Sequence, residues 1–281
     1  MKLTMTHEYI EATERMALIP VQTRGFLDLK GPDTRKYLNG MVTNDISKLE
    51  DFAGCYSLIC THKGKVLADF FVYSCGDDHF CIECDLGLRN KVRDLLKRAI
   101  IFQKVALKDQ SEQWHVATVI GPKSKEAVRS LKLVPPEQPL HFGQSSWQNK
   151  PVWIIAKNLW GLPAYELWTP AGITISLAFP ILSFATQEIL RIESATPKYG
   201  VDFDETHLPQ EAGLLHALSF NKGCYVGQET IARLQHLGHV NKQLTLAKSA
   251  DEKIDKVTSR CESPKYQSEI RLGYAKFNSS R

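Results

Sequence analysis

Residues 221–233, which read NKGCYVGQETIAR, are the most informative stretch of the chain. Gly223 and Gly227 lie on either side of a short segment that contains Cys224, and a helical pattern follows. A cysteine on a glycine loop before a helix N-terminus, two residues from Lys222, lies where positive charge favours the thiolate. The pattern is typical of a nucleophile, a metal ligand or a redox thiol. A small apolar residue buried beside a tight turn is the alternative.

Two segments upstream share one pattern, a strand followed by a Gly-Pro turn and a helix. RGFLDL at 24–29 precedes Gly-Pro at 31–32, and HVATVI at 115–120 precedes Gly-Pro at 121–122. Glycine permits the turn conformation, and proline suits the first turn of a helix, where its missing N–H is not needed. The repetition predicts an α+β body of two duplicated units, whereas ordinary Gly-Pro punctuation is the alternative.

Periodicity predicts the remaining elements and a boundary near residue 238. Strands are expected at 56–59, 66–73, 79–84, 152–156 and 165–169, and helices at 88–101 and 182–193. Beyond the boundary, short strands are expected at 243–247, 256–261 and 272–277. Because about forty residues are too few for a complete barrel, we expect a body over 1–237 and an abbreviated, barrel-like β segment over 238–281.

Composition identifies no partner. The 281 residues are 43% hydrophobic and carry a formal net charge of +4, too mild for a nucleic-acid footprint. The predicted helix at 88–101 has a basic face, but lysine and arginine are ordinary surface residues. The sequence therefore does not favour direct binding of tRNA through the residues of that face, Lys91, Arg93, Lys97 and Arg98.

Cysteine usage and the N-terminal sequence favour a cytoplasmic location. The seven cysteines are odd in number and unevenly spaced in a chain too long to need disulfides, which favours a reducing compartment. The N-terminal residues include Glu8 and Glu11 where an export signal needs an apolar run. The uncharged stretch at 167–187 contains Pro170 and Pro180, so we expect strands and turns there, and no membrane partner.

The other cysteines and the nearby histidines give no certain metal site. Cys81 and Cys84 form a C-x-x-C pair, but three residues apart on a strand their side chains face opposite sides of the sheet. His236 and His239 have no visible second ligand pair. The remaining thiols of the first unit lie in apolar strand contexts and are expected in the core: Cys55, Cys60 and Cys75.

The stretch KGCYVGQE at 222–229 resembles the K-G-C-Y-x-G-Q-E signature of YgfZ-type folate-binding proteins, relatives of the glycine-cleavage T-protein, an aminomethyltransferase. LNG and TND within 38–45, KGK at 63–65 and the R-x-E, YG and P-x-E residues within 191–211 are similar to further family segments. The resemblance covers residues 24–233. It implies an α+β, aminomethyltransferase-like folate-binding fold with a short C-terminal β appendage where relatives carry a barrel.

The resemblance also implies roles for individual residues. A tetrahydrofolate-type cofactor would be held through its pterin by Glu193, with Tyr199 lining the same cavity and Asn44 facing the folate. Cys224, Lys222 and Asp69 are the catalytic candidates. The remaining motif residues would shape the loop and helix: Gly223, Tyr225, Gly227, Gln228, Glu229 and Arg233.

Departures from the T-protein pattern decide the predicted function. Ala68 precedes Asp69 where T-proteins carry two aspartates, Ala195 replaces the glycine after R-x-E, and T-proteins have no equivalent of Cys224. We therefore expect folate binding without glycine cleavage.

The implied role is support of iron–sulfur cluster assembly or repair in client enzymes such as tRNA methylthiotransferases. One thiolate cannot hold a cluster, so any cluster at Cys224 would be shared with an iron–sulfur carrier or client protein. A tetrahydrofolate-dependent aminomethyltransferase and a non-catalytic adaptor for a cluster carrier remain open, and so does the question of catalysis.

Overall fold

Two five-stranded sheets and one three-stranded sheet, all antiparallel, organise the described residues of this computed structural model. The described residues are 6–22, 24–147, 149–173, 178–249 and 251–276. Their helices are α1 (His7–Glu14), α2 (Thr34–Met41), α3 (Arg89–Ala99), α4 (Ser124–Ser130), α5 (Phe184–Glu193) and α6 (Gln228–Leu237).

The strands over residues 17–109 are β1 (Ala17–Gln22), β2 (Gly25–Lys30), β3 (Gly54–Cys60), β4 (Val66–Ser74), β5 (His79–Cys84) and β6 (Ala106–Asp109), of which β2 to β5 belong to the first unit. The second unit follows with β7 (Trp114–Ile120), β8 (Phe142–Trp147), β9 (Lys150–Leu159) and β10 (Leu162–Pro170). The C-terminal strands are β11 (Lys242–Ala247), β12 (Lys256–Ser263) and β13 (Ser268–Lys276).

The two large sheets have the same topology, which confirms the predicted duplication. One sheet has the order β3-β4-β5-β2-β6, and the other has the order β8-β9-β10-β7-β1. The two edge strands are exchanged between the sheets. β1 comes before the first unit in the chain but pairs with β7 of the second sheet, and β6 comes directly before the second unit but pairs with β2 of the first sheet. This reciprocal exchange ties the two units together along the chain.

The two Gly-Pro turns have equivalent backbone conformations. Gly31 and Gly121 have φ values of 136° and 123° and follow β2 and β7 directly. A Cβ on Gly31 would lie 2.1 Å from the carbonyl oxygen of Lys104, and one on Gly121 would lie 2.7 Å from that of Ala12. Each glycine is therefore required both by its conformation and by the close approach of another backbone segment.

Each large sheet has one face against helices and one face against the other sheet. In the first sheet Leu27, Phe70 and Ile82 pack with Val92 and Leu96 of α3. The opposite face meets the second sheet through an aromatic cluster that includes Phe26, Tyr73, Phe142 and Trp168. Because side chains alternate along a strand, neighbours in β4 face either the helices or the inter-sheet region.

An irregular segment after α5 packs on the open end of the first sheet. Phe203, Leu214 and Tyr225 share a core cluster with Leu58 and Val66. The C-terminal strands form an open sheet in the order β11-β13-β12, which packs on α5. This sheet is the predicted short β appendage. The boundary at residues 237 and 238 stays a prediction.

The uncharged stretch at 167–187 is not a single helix in its described part. It holds the end of β10 and the start of α5, and residues 174–177 lie outside the described residues. Among the described helices, none has the length and apolar character needed to cross a membrane. The sequence did not predict α1, β1, β6 or β8.

Candidate functional site

Asp69 lies on the face of β4 that looks toward the second sheet. Its neighbour Ala68 packs in the helix-side core, so strand alternation turns the Asp69 carboxylate the other way. Burial raises the pKa of Asp69. The Tyr56 hydroxyl donates a 2.7 Å hydrogen bond to Asp69 Oδ2, and Oδ1 is shielded from solvent with no hydrogen-bond partner among the described residues. Asp69 therefore retains one buried acceptor atom without a donor among the described residues.

Aromatic rings line one side of this carboxylate. Tyr56 stacks on His216 with ring centroids 5.3 Å apart and an interplanar angle of 15°, and it packs against Phe71 at 5.1 Å. Burial lowers the pKa of His216, which favours the neutral imidazole. A planar heteroaromatic ring with N–H donors is complementary to such a wall beside a carboxylate.

Asn44 ties this wall together from behind. Its side-chain amide donates to the carbonyl oxygen of Tyr56 at 2.9 Å and to that of His216 at 3.4 Å. Its backbone N–H donates to Ser57 Oγ at 2.9 Å. The structure thus places Asn44 next to the Asp69 site as a support for Tyr56 and His216.

A buried charge network lies between the two large sheets beside this site. Lys157 Nζ lies 2.6 Å from Glu83 and 2.9 Å from Glu166, and Arg24 lies 2.7 Å from Glu83. Although burial disfavours the charged form of Glu83, Lys157 and Arg24 lower its pKa, whereas burial and the charge of Glu83 raise the pKa of Glu166. Lys157 also lies 3.9 Å from the ring centroid of Phe71. The network therefore contacts the aromatic wall through Phe71, which packs on Tyr56.

This network was missed by sequence reasoning. Its signal was the occurrence of charged residues within otherwise apolar strands, as in HFCIEC and PAYELW. A sequence cannot show that these charges meet, because they come from different sheets.

Glu193 lies at the end of α5, under the C-terminal sheet. Tyr9 donates a 2.7 Å hydrogen bond to Oε2, while Ser263 and the backbone N–H of Lys265 donate to Oε1. The carboxylate is thus already engaged by α1 and by the C-terminal segment, and its contacts differ from those of Asp69. Its pterin-binding role stays a prediction.

Tyr199 lies at the edge of the irregular segment. Its hydroxyl accepts a 2.7 Å hydrogen bond from Lys91, which also pairs with Glu205. Its ring packs edge-on against Phe203, in the cluster that also contacts Tyr56. Because Lys91 and Arg93 are both ion-paired, only part of the predicted basic face is free of acidic partners within the described residues.

Lys222 reaches back to the end of α2. Its ammonium donates to the carbonyl oxygens of Asn39, Val42 and Asn44 at 2.6, 2.8 and 2.6 Å. Burial lowers the pKa of Lys222 to about 8. All three N–H donors are therefore occupied by backbone, and the side chain joins the cysteine motif to the segment that carries Asn44.

Cys224 is exposed at the tip of the motif loop. Gln228 closes that loop, because its amide accepts from the backbone N–H of Tyr225 at 3.3 Å and donates to the carbonyl oxygen of Lys222 at 3.5 Å. Gly227 has a φ of 88°, and a Cβ there would lie 2.4 Å from the carbonyl oxygen of Thr61. The loop therefore has fixed ends and a solvent-facing thiol.

The other motif residues divide into a buried and an exposed set. Tyr225 is buried in the cluster around Leu58. Glu229 and Arg233 are exposed on α6 and border an open cavity of about 340 Å³. A Cβ on Gly223 would meet no atom within 4 Å, so space does not require glycine at that position.

Of the remaining cysteines, Cys60, Cys81 and Cys84 are buried, whereas Cys55 and Cys75, which were expected in the core, are only half-buried, as is Cys261. Cys81 packs between the sheets and Cys84 packs under the helices, on opposite faces of β5 as predicted. Within the described ranges no group of three or more His, Cys, Asp or Glu side chains is arranged to hold a metal ion. Burial raises the pKa of five thiols to about 12, namely Cys55, Cys60, Cys75, Cys84 and Cys261.

Comparison with known proteins places the chain in a family. Residues 1–222 match the GCVT N-terminal domain, and the chain belongs to that family. Its fold matches the crystal structure of glycine cleavage system aminomethyltransferase T from Bartonella henselae, with a TM-score of 0.84 and 16% identity over 96% of this chain and 80% of that one. The α+β aminomethyltransferase-like fold is thereby confirmed.

Within the family the chain is a YgfZ-type relative of the aminomethyltransferases. It is 26% identical to the tRNA-modifying protein YgfZ of Colwellia psychrerythraea over 85% of this chain and 76% of that protein. It is 25% identical to YgfZ of Vibrio vulnificus over 83% and 70%. It is also 25% identical to an aminomethyltransferase of Caldanaerobacter subterraneus over 79% of this chain, but covers only 63% of that protein.

Proposed function

We propose that this chain is a cytoplasmic folate-binding protein that supports assembly or repair of iron–sulfur clusters in client enzymes, and thereby tRNA modification, with Cys224 as its working thiol. The observation that carries the proposal is the exposed Cys224, held in a loop that Lys222 joins to the Asp69 site. The likeness to proteins named as tRNA-modifying supports it, and the seven free thiols agree with a reducing compartment.

The residues around Asp69 fit a folate. The free Oδ1 of Asp69 can accept an N–H of a reduced pterin, while the exposed His216, stacked on Tyr56, can offer its outer face to the pterin ring. A bound tetrahydrofolate would supply one-carbon chemistry. Asp69 and Tyr56 orient the ring, and Asn44 keeps Tyr56 in position.

Glu193 and Tyr199 are proposed as further folate contacts. Glu193 would accept from the pterin by exchanging the hydroxyl of Tyr9 for a ligand N–H, because hydroxyl donors can rotate away. Tyr199 would contribute ring surface, because its hydroxyl is already engaged by Lys91.

An iron–sulfur cluster is proposed here as cargo. Since one thiolate cannot hold a cluster, a carrier or client protein would supply the other ligands. The exposure of Cys224 suits this arrangement, because a partner can approach the thiol without movement of the core.

Complementation tests the thiol role. A strain that lacks its own homologue would receive the wild-type chain, Cys224→Ser, or the control Cys261→Ser, a half-buried thiol on β12. We expect wild type and Cys261→Ser to restore methylthiolated tRNA and Cys224→Ser to fail. Full rescue by Cys224→Ser would show that the Cys224 thiol is not required for the function.

A tetrahydrofolate-dependent aminomethyltransferase is the second candidate, favoured by the free oxygen of Asp69. Ammonia release from an aminomethyl-lipoyl carrier in the presence of tetrahydrofolate would support it, and none from folate-bound protein would exclude it. Partner binding that is unaffected by folate would instead indicate a non-catalytic adaptor.

A further inference from the structure

Within the described part of the chain, Lys222 is the only residue of the KGCYVGQE motif whose side chain hydrogen-bonds to the end of α2 and the segment after it. Its ammonium lies among the carbonyl oxygens of Asn39, Val42 and Asn44. The first two carbonyls belong to the last turn and C-cap of α2, where helix carbonyls lack intrahelical partners. The third belongs to the segment beside Asp69. One cation therefore contacts the last turn of α2, its C-cap and the segment that follows.

The Asn44 end of this contact is sensitive to the aromatic wall. The Asn44 amide donates to the backbone of both Tyr56 and His216, the two stacked rings. A ligand that orders these rings also orders Asn44 and hence the carbonyl that accepts from Lys222.

The Cys224 end is equally constrained. The backbone on both sides of Gly223 and Cys224 is tied to Gln228, at the carbonyl of Lys222 and at the N–H of Tyr225. Between these anchors a Cβ on Gly223 would lie in open space, so no packed neighbour holds the loop on that side. A shift of the Lys222 backbone would therefore be passed on to the loop that carries Cys224.

We infer that Lys222 is a positioning residue through which occupancy of the Asp69 site controls the reactivity of the Cys224 thiol. The folate-dependent part of this inference rests on the proposed function. With the site filled, the wall, Asn44 and Lys222 are held together and the loop that carries the exposed Cys224 keeps one conformation. With the site empty, the carbonyl contacts of Lys222 loosen, the loop samples more conformations and the exposed thiol reacts faster.

A double-mutant cycle in the ligand-free protein tests the link without folate. The rate at which Cys224 reacts with the disulfide reagent DTNB is measured in wild type, Asn44→Ala, Lys222→Met and the double variant, with Cys224→Ser giving the background from the other thiols. Rates are compared at the high-pH plateau, where the thiol is fully ionised, so that loss of the Lys222 charge does not act through the fraction of thiolate. We expect each single change to raise the rate about threefold or more, and the double variant to react no faster than Lys222→Met, because coupled residues are non-additive. Independent effects would overturn the inference.

Folded variants are required for this cycle, so thermal midpoints are measured alongside. Lys222→Arg is the conservative control, because a guanidinium keeps the charge and several N–H donors. It should react more slowly than Lys222→Met at equal thermal midpoint. Equal rates for the arginine and methionine variants would contradict a role for the carbonyl contacts.

The ligand arm uses 5-formyltetrahydrofolate, with binding followed by calorimetry. We expect saturation to slow the DTNB reaction of wild type about threefold or more and to leave that of Lys222→Met unchanged although the ligand still binds. Equal wild-type rates with and without bound ligand would overturn the regulation. Absence of binding would refute the proposed folate site, and the ligand-free cycle would still decide whether Lys222 couples the two segments.

Discussion

The Nζ atom of Lys222 lies 2.6 Å from the carbonyl oxygen of Asn44 and so joins two sequence motifs that are separated by 178 residues. The sequence indicated Lys222 as a residue that favours the thiolate and Asn44 as a residue that faces folate. Their direct contact means that both residues hold the cysteine loop against the segment beside Asp69. The cysteine loop and the aromatic wall beside Asp69 are parts of one hydrogen-bonded unit.

Gly227 provides a matched test of the motif loop. Gly227→Ala should lower the free energy of unfolding by about 1–3 kcal/mol, because alanine would be strained at a φ of 88° and its Cβ would meet the carbonyl of Thr61. Gly223→Ala should leave stability nearly unchanged, because its Cβ would lie in open space. Urea unfolding of both variants measures the difference. Similar losses of unfolding free energy in the two variants would show that Gly227 is not the strained and crowded position of the loop.

The buried charge network should be costly to break. Lys157→Met should reduce the free energy of unfolding by about 3–5 kcal/mol, since Glu83 and Glu166 would face each other without their shared cation. Lys125→Met, which removes an exposed partner of Glu137, should barely move the thermal midpoint. A Lys157→Met protein as stable as wild type would mean that the network is solvated rather than buried.

Tyr9 tests the proposed second contact of the pterin. Tyr9→Phe removes the hydroxyl that occupies Glu193 Oε2, so folate should bind about threefold more tightly if this carboxylate accepts from the ligand. Glu193→Gln should weaken binding. Tyr37→Phe, which removes a hydroxyl that donates to Leu96 in the first unit, is the control and should leave the affinity unchanged. If all three variants bind folate as tightly as wild type, Glu193 does not contact the ligand and serves only to hold the C-terminal sheet against α5.

Much of the fold could be predicted because its signals are local. The strand, Gly-Pro turn and helix pattern identified β2 with α2 and β7 with α4, and strand alternation separated Cys81 from Cys84. The exchange of β1 and β6 could not be predicted. The hydrophobic pattern of a short edge strand does not show which distant strand it pairs with.

The candidate site was predictable only in part, for a similar reason. Asp69 and Asn44 were named from motifs, and the structure brings them together through Tyr56. Tyr56, His216 and Lys157 were not named, since their importance depends on contacts between segments far apart in sequence. The internal partners of Glu193 could not be predicted either, because they come from α1, from the end of β12 and from the turn that follows it.

Calorimetric titration with 5-formyltetrahydrofolate shows whether this chain binds a folate through Asp69. Wild type and Asp69→Asn are compared, with Asp45→Asn as the control, because Asp45 accepts from Ser47 rather than from Tyr56. We expect binding by wild type and by Asp45→Asn, and at least about tenfold weaker binding by Asp69→Asn, in line with loss of a charge-assisted hydrogen bond. No binding by wild type, or equal affinity in all three proteins, would contradict this expectation.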